Sequence, residues 1–256
     1  MEGLLDGGLW SLELQEVIAS QLQLSCGLVL DARHAAWFPR ERVLAIADLH
    51  LGYAWAHRLR GQLMPITPAN DTLARLQELQ RDYEPREIIV LGDIVHRALA
   101  LDVLEEEIRA LFDTLSPRSQ LVFLAGNHDR DLQKMLDQWL LPIRLAPSRE
   151  VGDHLLVHGD ATFSADTAGQ PAQKTHGARI IMGHEHPAIS IGDGVTTSQK
   201  CPCFLVSESV IVLPAFSRWA AGTNIQAYPF MSTIAQRANF KCAIAILGDK
   251  LLRVPL

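Results

Sequence analysis

The sequence predicts an α/β protein whose first two-thirds alternate strands and helices and whose remainder is rich in strands. Short apolar runs recur along the chain, and their length suits strands that are buried on both faces. Amphipathic helical segments separate several of these runs, which is typical of βαβ units. Beyond residue 186, apolar runs alternate with turn residues and no long helical pattern is present.

Length and composition fit one globular domain spanning residues 1–256. The chain is 48% hydrophobic and 20% charged, and no apolar run is long enough to predict a transmembrane helix. The N-terminus lacks the basic start and long apolar core of a signal peptide, so a cytoplasmic protein without membrane association is expected. The four cysteines are therefore expected to be reduced thiols.

The first strands are expected over residues 27–31, 35–38 and 43–47, with polar turns between them. Residues 51–58 follow as a loop or a short helix. Thr67 and Pro68 then predict a helix start, as N-cap and first helical residue. Apolar residues at helical spacing predict two further helices over residues 100–115 and 131–140.

Two later segments complete the predicted elements. Residues 189–194 predict a turn, and Gly248 with Asp249 predicts a hairpin between the last two strands. Three consecutive glutamates at positions 105–107 resemble a metal-binding cluster only superficially. Consecutive positions point in different directions around a helix, so these glutamates predict a solvated face.

Five apolar runs end in residues that bind metal ions. The endings are Asp48-Leu49-His50, Gly92-Asp93, Gly126-Asn127-His128-Asp129, His158-Gly159-Asp160 and Gly183-His184-Glu185-His186. Ligands bind at strand ends in open α/β sheets. The period of two of a strand sends Asp48 and His50, which end the run that begins at Val43, to the same side. One such motif is common by chance, but five in order predict a metal site.

The candidate metal ligands are Asp48, His50, Asp93, Asn127, His158, His184 and His186. Imidazole and carboxylate ligands together suit Mn²⁺, the expected metal, with Fe or Zn as alternatives. Seven ligands suit two divalent metal ions, and Asp93 lies in the middle of the set, where it can bridge them. Two ions would make hydroxide available from a shared water and would neutralise phosphoryl oxygens. His128 can give a proton or a hydrogen bond to the leaving oxygen.

Taken together, these motifs resemble the calcineurin-like metallophosphoesterase superfamily. The resemblance implies an αββα sandwich of two mixed β-sheets flanked by helices, with a two-metal site at the strand ends. It also implies a division of the ligands. By this resemblance, Asp48, His50 and His186 hold one ion, Asn127, His158 and His184 hold the other, Asp93 bridges them and His128 is the catalytic histidine.

The second motif departs from that of the protein phosphatases in this superfamily. There, an aspartate pairs with the catalytic histidine and the next residue is an arginine that contacts phosphate. Here the two positions are His96 and Arg97, so a Ser/Thr protein phosphatase is not expected and both residues are candidates for substrate binding.

Residues 47–53, 91–96 and 213–217 resemble the ICC-like bacterial and archaeal phosphoesterases more closely. One related branch, the ligase-associated DNA repair phosphoesterases, is described as a DNA endonuclease. The pattern of that branch after the first motif differs from Gly52-Tyr53-Ala54 in this chain.

The expected function is therefore hydrolysis of phosphodiester bonds by a metal-activated hydroxide, with DNA or RNA as a candidate substrate. The net charge of −6 argues against a broad basic surface for nucleic acid, although bound cations would add positive charge locally. A nucleotide phosphodiesterase or phosphomonoesterase acting on small molecules is the second reading. A non-catalytic scaffold ranks last because every motif position is filled. A homodimer is a candidate assembly.

Overall fold

The first sheet has seven strands, and their order in space is their order in the chain. The computed structural model describes residues 19–64, 70–99, 101–160, 178–192, 198–220 and 222–256. The strands are β1 (Gln21–Gln23), β2 (Val29–Asp31), β3 (Ala35–Phe38), β4 (Val43–Ala47), β5 (Glu87–Leu91), β6 (Gln120–Leu124) and β7 (Leu145–Ala146). β1 to β4 pair antiparallel, and β4 to β7 pair parallel. Every residue of β4 and β5 is buried, as expected of parallel strands that are covered on both faces.

Helices connect the parallel strands and cover the outer face of this sheet. They are α1 (Tyr53–Arg58), α2 (Asn70–Tyr83), α3 (Asp102–Leu115) and α4 (Leu132–Gln138). The helices predicted over residues 100–115 and 131–140 correspond to α3 and α4. The start predicted at Thr67 and Pro68 lies outside the described residues. Leucines of α2 and α3, including Leu76, Leu79 and Leu104, bury against apolar residues of the sheet.

The second sheet is also mixed. Its strands are β8 (Ser148–Val151), β9 (His154–Val157), β10 (Arg179–Met182), β11 (Pro187–Gly192), β12 (Ser198–Val206), β13 (Val210–Val212), β14 (Thr223–Asn224), β15 (Cys242–Leu247) and β16 (Lys250–Pro255). β9, β10 and β13 are parallel neighbours, whereas β12 pairs antiparallel with β11, β13 and β15. The short helix α5 (Thr233–Arg237) packs through Ala235 on the outer face of this sheet.

The two sheets pack face to face through a continuous apolar layer. Ala45 and Ile89 of the first sheet share this layer with Leu156, Ile181 and Ile211 of the second. Separate apolar clusters join each sheet to its helices. The order of layers is helices, sheet, sheet and helix, which confirms the predicted αββα sandwich. That residues 1–256 form a single domain stays a prediction.

The end of the chain confirms one predicted turn and overturns another. β15 and β16 join through Gly248 and Asp249, with Leu247 opposite Lys250, as expected of a two-residue hairpin. The turn predicted over residues 189–194 is wrong, because residues 189–192 belong to β11 and pair with β12. Alternating Ile189 and Ile191 are the strand signal there, and residues 193–194 lie outside the described part. Within that part, no helix is long and apolar enough to cross a membrane.

Candidate active site and metal centre

The five motifs lie at the carboxyl ends of five strands. β4, β5 and β6 are parallel neighbours and deliver the first three motifs to one edge of the first sheet. β9 and β10 are likewise parallel and deliver the last two motifs in the second sheet. Because the sheets pack face to face, side chains from both strand edges can meet in one place.

The backbone turns sharply at most of the predicted ligands. Positive φ values occur at Asp48 (56°), His50 (47°), Asp93 (45°), His184 (67°) and His186 (43°). This conformation is unfavourable for residues other than glycine by about 1–3 kcal/mol each, and it concentrates at functional sites. The strand geometry predicted for the first two of these residues is wrong, because β4 ends at residue 47. Left-handed backbone, not strand alternation, aims both side chains inward.

Hydrogen bonds between neighbouring loops hold these turns in place. The amide of His50 donates to the carbonyl of Asp93 at 2.9 Å. The amide of Ser217 donates to the carbonyl of Asp48 at 3.1 Å, which ties the loop after β13 to the end of β4. These two bonds join the loop after β4 to the loops after β5 and β13.

A first group of donor atoms comprises Asp48, His50, Asp93 and His186, whose ligand atoms lie within 4.8 Å of one another. His186 Nε2 is 3.5 Å from Asp48 Oδ1 and 3.2 Å from His50 Nε2. His50 Nε2 is 3.9 Å from Asp93 Oδ2. These residues could hold one metal ion.

A second group of donor atoms lies on the other side of Asp93. His158 Nε2 is 3.1 Å from Asn127 Oδ1 and 3.2 Å from His184 Nδ1. Asp93 Oδ1 is 3.4 Å from the same nitrogen of His158. The two carboxylate oxygens of Asp93 therefore face different groups, and each group contains two histidines.

The donor set fits divalent cations. Burial lowers the pKa of His50 to about 3 and also lowers that of His184, so both imidazoles are neutral at pH 7, the form that binds metals. Asp48 is fully buried and Asp93 is 3% exposed. Among the described residues, no lysine or arginine pairs with either carboxylate, and His50 Nδ1 is buried without a hydrogen-bond partner. Bound cations would supply the missing charge.

The pKa of His186 shifts in the opposite direction to that of His50, the other histidine in the first group. Burial opposes the charged form of His186, but the adjacent Asp48 carboxylate outweighs that effect and raises its pKa. The same contact helps to hold the pKa of Asp48 below its ordinary value despite burial. The raised pKa favours a proton on His186, and a metal ion bound there would replace that proton.

At two glycines of the motifs, the backbone packs directly against predicted ligands. A Cβ atom at Gly183 would lie 2.7 Å from Asp48 Oδ2, and one at Gly126 would overlap the amide nitrogen and Oδ1 of Asp93. Any side chain at these positions would displace a carboxylate. This explains why glycine precedes the ligands at both places.

Comparison with known proteins agrees with this arrangement. A model of the calcineurin-like phosphoesterase family matches residues 41–201 of this chain. The chain belongs to that family. It is therefore a metal-dependent hydrolase of phosphoester bonds, and the cluster formed by both donor groups is its candidate metal centre.

A solved structure supports the fold assignment of the phosphoesterase. The crystal structure of Pseudomonas putida nuclease MPE matches with a TM-score of 0.64 and 22% sequence identity, over 91% of this chain and 98% of that one. At this identity the similarity shows a shared fold. No curated protein sequence matches the chain.

His128 of the phosphoesterase stands at the open side of the cluster. Its amide donates to Asp93 Oδ1 at 3.0 Å, and its Nε2 lies 3.9 Å from Asp93 Oδ2. Its Nδ1 is 2.5 Å from the carbonyl oxygen of His96 and donates to it. The residue that replaces the phosphatase aspartate therefore pairs with His128 through its main chain.

The two predicted substrate-binding residues differ in their surroundings. The ring of His96 lies 5.6 Å from that of His50 and 5.4 Å from that of His128, and these three histidines form a further group that could hold a metal ion. Burial lowers the pKa of His96 to about 4. Arg97 is exposed, and among the described residues it has no ion-pair partner.

Two acidic residues have roles that sequence reasoning missed. Buried Asp129 accepts hydrogen bonds from the amides of Ile94, Val95 and Gly126, and so joins the second motif to the third. The position of Asp129 in the third motif was the sequence feature that pointed to a role for it. Glu107 was predicted on a solvated face, which is wrong, because it is half-buried and accepts from the Gly52 amide at 3.0 Å. A single helix gives no sign of a partner in a distant loop.

Proposed function

We propose that this phosphoesterase hydrolyses phosphodiester bonds in nucleic acid, using two divalent metal ions. The position of Asp93 is the observation that carries the proposal. Its two carboxylate oxygens face separate groups of nitrogen and oxygen donors, at 3.4 Å from His158 and 3.9 Å from His50. A bridging carboxylate between two such groups is what a two-metal phosphoesterase requires.

The proposed ligands divide between the two groups. Asp48, His50 and His186 would hold one ion, Asn127, His158 and His184 would hold the other, and Asp93 would bridge them. The mixture of imidazole and carboxylate suits Mn²⁺, with Fe or Zn as alternatives. When bound, the ions supply a hydroxide nucleophile near neutral pH and neutralise charge on phosphoryl oxygens.

His128 is proposed as the group that assists departure of the leaving oxygen. Its Nδ1 hydrogen is engaged by the carbonyl of His96, which leaves Nε2 as the nitrogen that faces the cluster. A proton on Nε2 can be donated to the leaving oxygen or can hydrogen-bond to it. The half-exposed ring is accessible to a substrate that lies across the open side.

Charge favours a diester over a monoester. A phosphate monoester carries close to two negative charges near neutral pH, whereas a diester carries one, so a monoester needs more positive charge around it. Among the described residues, no arginine or lysine forms an ion pair with the proposed ligands. The carboxylates of Asp48 and Asp93 would offset part of the charge of the two ions, so the charge that remains is better matched to a diester.

Nucleic acid is the proposed class of diester. The nuclease MPE shares the fold over nearly its whole length, which supports this choice. A nucleotide phosphodiesterase acting on small molecules is the second candidate, and the acidic net charge of −6 favours it over a protein that grips a long duplex.

The first test measures hydrolysis of bis(p-nitrophenyl) phosphate beside p-nitrophenyl phosphate, with Mn²⁺ and with a chelator. Preference for the diester, abolished by the chelator, is the expected result. Preference for the monoester would overturn the choice of diester. DNA, RNA and cyclic nucleotides, tested next, separate nuclease activity from turnover of small molecules.

The non-catalytic alternative is tested by His128→Ala. We expect this variant to bind two metal ions per chain and to lose turnover. If the wild-type protein binds two ions and hydrolyses neither model ester nor any nucleic acid, the fold serves here as a scaffold and the proposed function is wrong.

A further inference from the structure

A cavity of about 280 Å³ opens beside the candidate metal centre. One side of it is His50, a proposed metal ligand, so the cavity and the cluster are continuous. Its lining also includes Tyr53, Trp55 and Trp219, three aromatic residues that no proposed catalytic step uses. One end of the cavity is the proposed phosphate-binding metal centre and the other is aromatic. A ligand that fits both ends would carry a phosphate group and a planar ring.

Tyr53 and Trp219 both line the cavity, and their rings stack on one another. Their rings are parallel within 3°, and their centroids are 5.9 Å apart. Both side chains are half-buried, so part of each ring faces the open space. We define this pair as the aromatic wall. Parallel aromatic faces of this kind stack on planar ring systems, including nucleobases.

Hydrogen bonds fix the position of the aromatic wall relative to the candidate metal centre. The amide of Trp219 donates to Ser217 Oγ at 3.3 Å, and the Ser217 amide donates to the carbonyl of Asp48. Tyr53 opens α1, and its amide donates to the carbonyl of His50 at 3.2 Å. Each wall residue is therefore tied to the loops that carry the proposed ligands.

A series of ring contacts leads from the aromatic wall to the proposed catalytic histidine. The centroid of Tyr53 is 4.5 Å from that of His96, and the centroid of His96 is 5.4 Å from that of His128. Tyr53 thus lies two ring contacts from His128, and a ligand stacked on Tyr53 lies one contact further away. This spacing suits a single nucleotide, whose base and phosphate are separated by one sugar.

We propose that this cavity binds the unpaired nucleobase of the nucleotide whose phosphate lies at the metal centre. The proposal rests on the proposed function, since it assigns the substrate of the same site. The cavity is near the small end of ligand pockets, which hold about 300–1,000 Å³, and therefore suits one nucleoside rather than a base pair. A base in a duplex must leave its stack to enter such a pocket, so single-stranded or frayed nucleic acid is the preferred form.

The test measures binding of adenosine to the metal-loaded protein by calorimetry, with ribose as the control ligand. Adenosine carries no phosphate, so its binding does not depend on hydrolysis. We expect adenosine to bind and ribose not to bind. Trp219→Ala should weaken adenosine binding by about 5- to 150-fold, the loss of one base–aromatic stack, and Trp219→Phe should restore most of it.

Tyr228→Ala is the matched control, because Tyr228 is 65% exposed and does not line the cavity. It should bind adenosine as the wild type does. If adenosine does not bind, or if Trp219→Ala binds it unchanged, the nucleobase site is wrong. Hydrolysis of bis(p-nitrophenyl) phosphate is measured on the same samples, so failure of the proposed function is recognised separately.

A second experiment tests whether the bound base belongs to a nucleic-acid strand or to a free nucleotide. Affinity is compared for a dinucleotide, a longer single strand and the corresponding duplex. Tighter binding of the longer single strand assigns the site to nucleic acid, and equal binding of dinucleotide and strand assigns it to small nucleotides. Preference for the duplex that Trp219→Ala leaves unchanged would overturn the proposal.

Discussion

Two buried aspartates of the first sheet, Asp31 and Asp93, have opposite surroundings. Asp31 ends β2 and is 2% exposed, and Asp93 follows β5 and is 3% exposed. Asp31 accepts hydrogen bonds from Arg33 Nε at 2.9 Å and from the Tyr83 hydroxyl at 2.6 Å. Asp93 accepts one from the amide of His128, and its other close neighbours are histidine nitrogens.

The ionisation of the two carboxyl groups follows these surroundings. Burial opposes ionisation of Asp31, but hydrogen bonds from Arg33 and Tyr83 outweigh it and lower the pKa. Burial raises the pKa of Asp93; the negative charge of Asp48 raises it further, and His158 only partly offsets the rise. A buried carboxylate that the protein pairs with its own cation is structural. One that the protein leaves beside another carboxylate and several imidazoles, with no arginine or lysine paired to it among the described residues, requires a cation from outside.

The most direct test of this difference between Asp31 and Asp93 is to make the same substitution at both. Asp93→Asn removes the charge of the proposed bridging residue, and we expect kcat/KM for a diester to fall on the order of 10³-fold or more, about 4 kcal/mol. Asp31→Asn should keep the activity and the metal content. Diester kinetics with Mn²⁺ and metal analysis of both purified variants provide the check. Equal activity of the two variants would remove Asp93 from the centre.

The second largest expected effect distinguishes the role of the His128 side chain from that of the His96 main chain. His128→Asn should lower kcat by about 10²- to 10⁴-fold with metal still bound, since it removes the proposed proton donor. His96→Ala keeps the carbonyl that accepts from His128 Nδ1 and loses only ring contacts worth about 1 kcal/mol. We therefore expect it to cost less than about tenfold in kcat. A loss as large as that of His128→Asn would show that the His96 ring takes part.

Local patterns predicted most of the fold and most of the residues that the structure brings together in the candidate metal centre. Apolar runs mark buried strands, and chemically distinctive residues at their ends mark the site, so both can be recognised before any contact is known. The direction of Asp48 and His50 could not be derived in this way, because strand periodicity assumes that the strand continues. Their positive φ values depend on hydrogen bonds to a loop more than forty residues away.

Other parts of the site carry no local signature. The acceptor for His128 is a carbonyl, and a carbonyl belongs to every residue type. Tyr53 and Trp219 meet only because the loop after β13 pairs with the end of β4. Glu107 looks like any other surface glutamate until Gly52 is placed beside it. Long-range contacts of this kind are absent from sequence spacing.

A third substitution tests how tightly Asp93 must be held. An added methyl group in Gly126→Ala would overlap the Asp93 carboxylate, so we expect Mn²⁺ affinity to fall by about 10- to 100-fold, as when a partner of a metal ligand is changed. Gly248→Ala is the control. Its Cβ would meet open space, and its φ of 65° costs only about 1 kcal/mol of stability. Calorimetric titration with Mn²⁺ compares the two variants, and unchanged affinity in Gly126→Ala would mean that Asp93 moves freely.

The smallest expected effect concerns stability at Asp31, the paired member of the comparison. Asp31→Asn should lower the free energy of unfolding by about 1–3 kcal/mol at pH 7, because Arg33 and Tyr83 lose a charged acceptor. The folded pKa of Asp31 lies below its ordinary value of 3.8, so its stabilisation is complete above that value and disappears as the pH falls through the folded pKa. Urea unfolding of wild type and variant at a series of pH values should therefore show two stabilities that differ at pH 7 and converge in acid. A difference that stays constant down to acid pH would assign the loss to packing rather than to charge, and would weaken the contrast with Asp93.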